Sequence, residues 1–165
     1  MTSIASELKQ AVERFYSKHS SLPDSLTGVR LSEDRWSLKE IIGHLIDSAS
    51  NNHQRFLRLQ LTDRLQFPDY RKDNERWLRL ERHNELAWSE LLALWRSYNL
   101  LLAHIIRRLD PESLGHVWVA EEREATLAEL ASGYLTHLQE HLEHFERRLL
   151  ELREQGAGGA KGSRA

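Results

Sequence analysis

The chain contains no cysteine, and that single absence removes disulfide staples, thiolate metal ligands and a cysteine nucleophile together. Any metal must then be held by His, Asp or Glu, and any thiol chemistry must draw its sulfur from a second substrate. Proline is nearly as scarce: Pro23, Pro68 and Pro111 are the only three, and each falls where a helical pattern has already failed. Long apolar runs are missing too. The amino-terminal stretch is interrupted by Glu7, Lys9, Glu13 and Arg14, which argues against a signal peptide, and no segment approaches transmembrane length. Excess charge of one sign is also lacking, since 23 basic residues stand against 25 acidic ones for a formal charge of -2. No positive field is available to gather a phosphate backbone or an anionic membrane. The expectation is a cytoplasmic protein with neither a nucleic-acid nor a membrane partner.

What is present is helix. At 165 residues with 40% hydrophobic side chains, the chain suffices for one domain with one continuous core. Ile4, Leu8, Val12 and Phe15 recur at helical period and predict a first helix over about Ser3 to Ser20. A break containing Pro23, Asp24 and Gly28 follows. Ser37 and Glu40 then form a capping box that opens a second helix reaching about Leu61. Leu86, Leu91, Leu94, Trp95, Leu101, Leu102, Ile105 and Leu109 mark a third long helix that stops before Pro111, with Trp77 and Leu80 in a short helix ahead of it. Thr126 and Glu129 make a second capping box, and the last helix should continue to about Glu154. Residues 155–165 are glycine-rich without large apolar side chains and read as a disordered tail. No alternating Val, Ile or Thr pattern supports a sheet. The fold class expected is all-α, an up-and-down antiparallel four-helix bundle over residues 1–154.

Nine histidines is a high count for this length. Leu127, Ala131, Tyr134, Leu138, Phe145 and Leu149 form the core stripe of the last helix, and His137, His141 and His144 line one edge of it. Side chains three or four apart on a helix are neighbours, so two of these imidazoles can reach one ion. His144 meets the spacing as well as its neighbours do, and periodicity leaves the pair open. In the second helix His44 lies off the core stripe, on a flank shared with Asp47, Ser48 and Asn51. His53, nine residues on, points about the opposite way. His44 with His137 and His141 would supply three neutral imidazoles and leave a coordination position open, the pattern of catalytic sites. Asp47 would orient a ligand or act as a base, and Tyr134 would donate a hydrogen bond into the site. The plainer reading is that these histidines decorate half-polar helix faces.

The stretch Trp36, Ser37, Leu38, Lys39, Glu40, Ile41, Ile42, Gly43, His44, Leu45, Ile46, Asp47 resembles the opening of the second helix in the DinB/YfiT-like superfamily. The run Thr126 to Leu130, with Tyr134, His137, His141 and Leu142, resembles the last helix of the same family. The resemblance spans roughly Ile4 to Leu150. It implies a four-helix bundle that binds a divalent ion (nickel, zinc or iron) through one His of the second helix and two of the fourth. Position by position these are His44, His137 and His141; His144 lies outside the motif and is left beside the site with Asn51.

Three function classes follow. The first is a metal-dependent hydrolase or S-transferase acting on a small molecule, the transferase using a low-molecular-weight thiol as the resemblance implies. The second is a bundle that binds metal or a small molecule without turnover. The third is an interaction scaffold presenting Trp77, Trp88, Trp95 or Trp118, although large aromatics chiefly supply buried area. Arg55, Arg58, Arg64, Arg71, Lys72, Arg76, Arg79 and Arg82 make the middle of the chain basic and would suit an anionic substrate, but interleaved acids favour a solvated face. A homodimer through a helix face is compatible with the pattern.

Overall fold

The computed structural model describes residues 1–121 and 123–161. The chain begins with α1 (Thr2–His19) and a single turn, α2 (Asp24–Thr27). α3 (Leu38–Arg58) opens on the expected capping box: Ser37 Oγ accepts from Glu40 N at 3.1 Å, and the Glu40 carboxylate accepts from Ser37 N at 2.8 Å. After β1 (Arg64–Gln66) come α4 (Asn74–Glu81), which contains Trp77 and Leu80 as expected, and α5 (Trp88–Arg107). β2 (Val117–Ala120) and β3 (Arg123–Thr126) then lead straight into α6 (Leu127–Lys161). The Thr126–Glu129 box forms there, with Thr126 N donating to Glu129 Oε2 at 2.8 Å and Glu129 N to Thr126 Oγ1 at 3.2 Å.

α1, α3, α5 and α6 form a four-helix bundle. The packed pairs are α1 with α5, α5 with α3, α3 with α6 and α6 with α1. Consecutive long helices α1 and α3 therefore face each other across the core, as do α5 and α6. The core is closed by Leu8, Val12 and Phe15 of α1, Ile41, Leu45 and Phe56 of α3, Leu92, Trp95 and Leu102 of α5, and Leu138, Phe145 and Leu149 of α6. Phe15 bridges three elements, its ring 5.2 Å from Trp95 and 4.8 Å from Phe145. Trp88, Trp95 and Trp118 are all buried, which removes them as surface anchors.

Two expectations need correction. A sheet is present after all: β1 pairs in parallel with β2, and β2 pairs antiparallel with β3. These strands are too short for a period of two to show, and β3 opens on Arg123 and Glu124, neither of them a strand-favouring residue. The sheet is held by its surroundings. Trp118 Nε1 donates to Phe67 O at 2.8 Å, and the turn between β2 and β3 takes Glu121 to φ 47°. α6 also continues past Glu154 as far as Lys161, so residues expected in the tail extend the helix; 162–165 lie outside the described residues.

Gly43 sits mid-helix in α3, where glycine normally costs about 1 kcal/mol relative to alanine. Its reason is a close approach: a Cβ there would meet the buried His83 ring at 2.3–2.5 Å. Gly43→Ala is expected to destabilise the protein by about 1–3 kcal/mol in urea unfolding. Pairing it with His83→Ala should recover part of that loss, and strict additivity of the two substitutions would contradict the contact.

Candidate metal centre

α3 and α6 lie side by side, and the His44 flank of one meets the His137 edge of the other. His44 Nε2 and His137 Nε2 are 3.3 Å apart. The His44 and His141 ring centroids are 4.6 Å apart, those of His137 and His141 4.5 Å. One ligand nitrogen from each of the three falls within 4.8 Å of the other two, a group able to hold a metal ion. Two nitrogens bound at about 2.0–2.1 Å in tetrahedral geometry would stand about 3.3–3.4 Å apart, so the His44–His137 spacing already matches a shared ion.

Burial and mutual repulsion keep the cluster neutral. His44, only 2% exposed, is pushed down to about 3 by desolvation and then by His141 and His137. Desolvation and the two flanking imidazoles push His141 down to about 4, and His137 is lowered by burial as well. Neutral imidazole is the ligand form, and three of them suit zinc, nickel or iron. Two further contacts fit an ion. Ser48 Oγ lies 3.4 Å from His137 Nδ1, where it can accept that nitrogen's proton and turn Nε2 toward the centre. His141 Nδ1 is buried without a hydrogen-bond partner among the described residues, an orphaned donor-set nitrogen that would otherwise be costly. Trp36 closes one side, 5.2 Å from the His44 ring and stacked on His141 at 6.5 Å. Its carbonyl accepts from Arg148 Nη1, which ties the segment before α3 to α6.

The other expected residues fare differently. His144 lies beside His141 at 6.1 Å between centroids but outside the three-nitrogen group. Asn51 donates to the Asp47 carbonyl at 3.0 Å, a contact within α3. Tyr134 spends its hydroxyl proton on Asn99 Oδ1 at 2.6 Å inside the core, so it does not donate into the site as expected. Asp47 is buried and pushed up to about 8, by desolvation first and then by the Glu81 carboxylate with which it is hydrogen-bonded. Near neutral pH it holds its proton and is not a free base in the metal-free protein. His53 meets Tyr98 Oη at 3.2 Å, away from the site as its spacing requires.

Sequence reasoning missed Ser48 as a partner, although it sits four residues after His44 and shares its face. Glu81 carries no such signal, because α4 is brought to α3 only by tertiary packing.

A cavity of about 310 Å³ adjoins the histidines and shares His137 and Ser48 with them. Its other walls come from α3 (Asn52, Arg55), from Tyr70 and Arg71, from the sheet (Trp118, Arg123, Ala125) and from α6 (Glu129, Leu130, Gly133, Tyr134).

Fold and site together define a four-helix bundle with a three-histidine cluster between its second and fourth long helices. The sequence profile of the DinB superfamily matches residues 7–145, and the chain belongs to that family. Among solved structures it is similar to YfiT from Bacillus subtilis, with a TM-score of 0.76 at 19% identity over 93% of this chain and 86% of that one. YfiT is described as "a probable metal-dependent hydrolase with an unusual four-helix bundle topology". No curated protein matches the sequence.

The buried carboxyl gives a signed pH prediction. A carboxyl whose folded-state pKa is raised contributes stability that is complete below its ordinary 3.8 and lost as pH rises through about 8. In metal-free protein, Asp47→Asn should therefore gain on the wild type as pH rises from 5 to 8, by at most about 1.4 kcal/mol per pH unit. Urea midpoints at several pH values measure this, and a constant difference would remove the shared proton.

Proposed function

We propose that the protein is a divalent-metal-dependent enzyme acting on a small molecule, with His44, His137 and His141 as the ligands. The observation that carries this reading is the convergence of three neutral imidazoles, one buried and two half-buried, within 4.8 Å, beside a cavity that reaches His137. A divalent ion bound there supplies Lewis acidity, polarising a carbonyl oxygen or lowering the pKa of a thiol. The chain's own residues do the rest. Ser48 sets the orientation of His137, burial keeps all three rings unprotonated, and Trp36 shields the cluster from one side.

The reaction class is hydrolysis or sulfur transfer. The description of YfiT supports the hydrolytic form. A transferase would need a low-molecular-weight thiol from outside, because the chain has no sulfhydryl of its own. A second reading has one observation in its favour. Tyr134 is committed to Asn99 and Asp47 shares its proton with Glu81, so neither is free for proton transfer. That favours a bundle that binds metal or a small molecule without turnover.

Untagged protein purified without added metal or chelator should carry about one divalent ion per chain by elemental analysis. His44→Ala, His137→Ala and His141→Ala should each weaken binding by more than the 10–100-fold typical of losing an outer-shell partner, with helicity retained. No ion, even after reconstitution with zinc, nickel and iron, would sink the proposal. Stoichiometric metal without hydrolase or thiol-transfer activity would favour the second reading.

A further inference from the structure

The cavity beside the histidines carries its own chemical signature. Three guanidinium groups line it, those of Arg55, Arg71 and Arg123, and all three are drawn to one carboxylate. Asp69 Oδ2 accepts from Arg71 and Arg123 at 2.8 Å each, and Asp69 Oδ1 lies 3.6 Å from Arg55 Nη2. Asp69 itself stands outside the lining; Glu129 is part of it, but its carboxylate is occupied by the backbone and hydroxyl of Thr126. Positive charge is therefore in excess, in a pocket with the indole of Trp118 as one wall.

Arg55 is the telling residue. It is 5% exposed, and its guanidinium lies over the Trp118 ring at 4.2 Å from the centroid. Nη2 donates to Pro68 O at 3.2 Å, while Nε is buried with no partner among the described residues. A charged group with an unsatisfied donor is expensive to bury. An arginine offers a planar fork suited to a two-oxygen anion, and here one edge of that fork is unspent. Tyr70, Ser48 and Asn52 add neutral polar groups to the same lining, which also includes His137.

We propose that this cavity is an anion subsite, holding a carboxylate or phosphate group of the small molecule whose other end reaches the three-histidine centre. The inference rests on the reading of that centre as a reaction site. It narrows the substrate class to acids, and the cavity volume, at the small end of ligand pockets, limits them to small molecules. Arg55 grips the anion from the buried end. Arg71 and Arg123, about half exposed, reorganise from Asp69 to meet it.

The test is titration of the full chain with inorganic phosphate and with succinate, followed calorimetrically in metal-free and zinc-loaded protein at constant ionic strength. Saturable binding of either anion to the metal-free protein is expected, and whichever binds more tightly names the group. Arg123→Gln, a half-exposed position, should weaken binding about tenfold, and Arg55→Lys should do so while keeping the charge but losing the fork. Zinc content of both variants should be unchanged. His141→Asn, which lies off the cavity lining, should lose zinc and retain the anion. That pattern separates the two readings: anion binding by a protein that takes up no zinc, nickel or iron would leave the subsite standing while the metalloenzyme reading fails. No saturable binding of either anion, or equal binding by wild type and both arginine variants, would overturn the subsite even with zinc in place.

Discussion

The side-by-side packing of α3 and α6 is the constraint on which the site depends. Each helix carries its histidines on the edge of an apolar stripe, and only the contact between those edges turns two polar flanks into one largely desolvated cluster. The ring order of the bundle makes that contact, because α3 packs against α5 and α6 while α1 stands across the core. Imidazoles placed this way are desolvated and repel one another's protons, so they are held in the form a metal requires. Stability and function pull against each other here. Buried, partly unsatisfied nitrogens weaken an empty fold and would be relieved by a bound ion.

The sheet serves the site more than the core. Its three short strands bridge the segment after α3 to the segment before α6, and β3 runs directly into the helix bearing His137 and His141. Trp118 and Arg123 project from it into the cavity, so the same small element positions a helix and builds a wall. The close approach of His83 to Gly43 does comparable work on another side of α3, bringing the segment after α4 against the helix that carries His44.

Much of this was legible in the linear chain. Both capping boxes place helix starts to the residue, because they depend on hydrogen bonds three positions apart. The edge positions of His44, His137 and His141 follow from helical period, and the resemblance of Trp36–Asp47 and Thr126–Leu142 to one family chose among the spacings that period allowed. The roles of Asp47 and Tyr134 did not follow. Whether a carboxyl is a base or a shared-proton pair is decided by a neighbour from another element, here Glu81, and Tyr134 is claimed by Asn99 of α5 in the same way.

By itself, then, the sequence determined the number and approximate placement of the long helices, their apolar faces, the absence of any sulfur ligand and the histidines on offer, since all of these are local in the chain. Tertiary structure alone decided the helix order round the core, the strand pairing, the unspent fork of Arg55 and the convergence of three arginines on Asp69. Those features rest on contacts between residues far apart in the chain, and no spacing rule reports which distant side chain will arrive to satisfy, repel or leave unpaired a buried polar group.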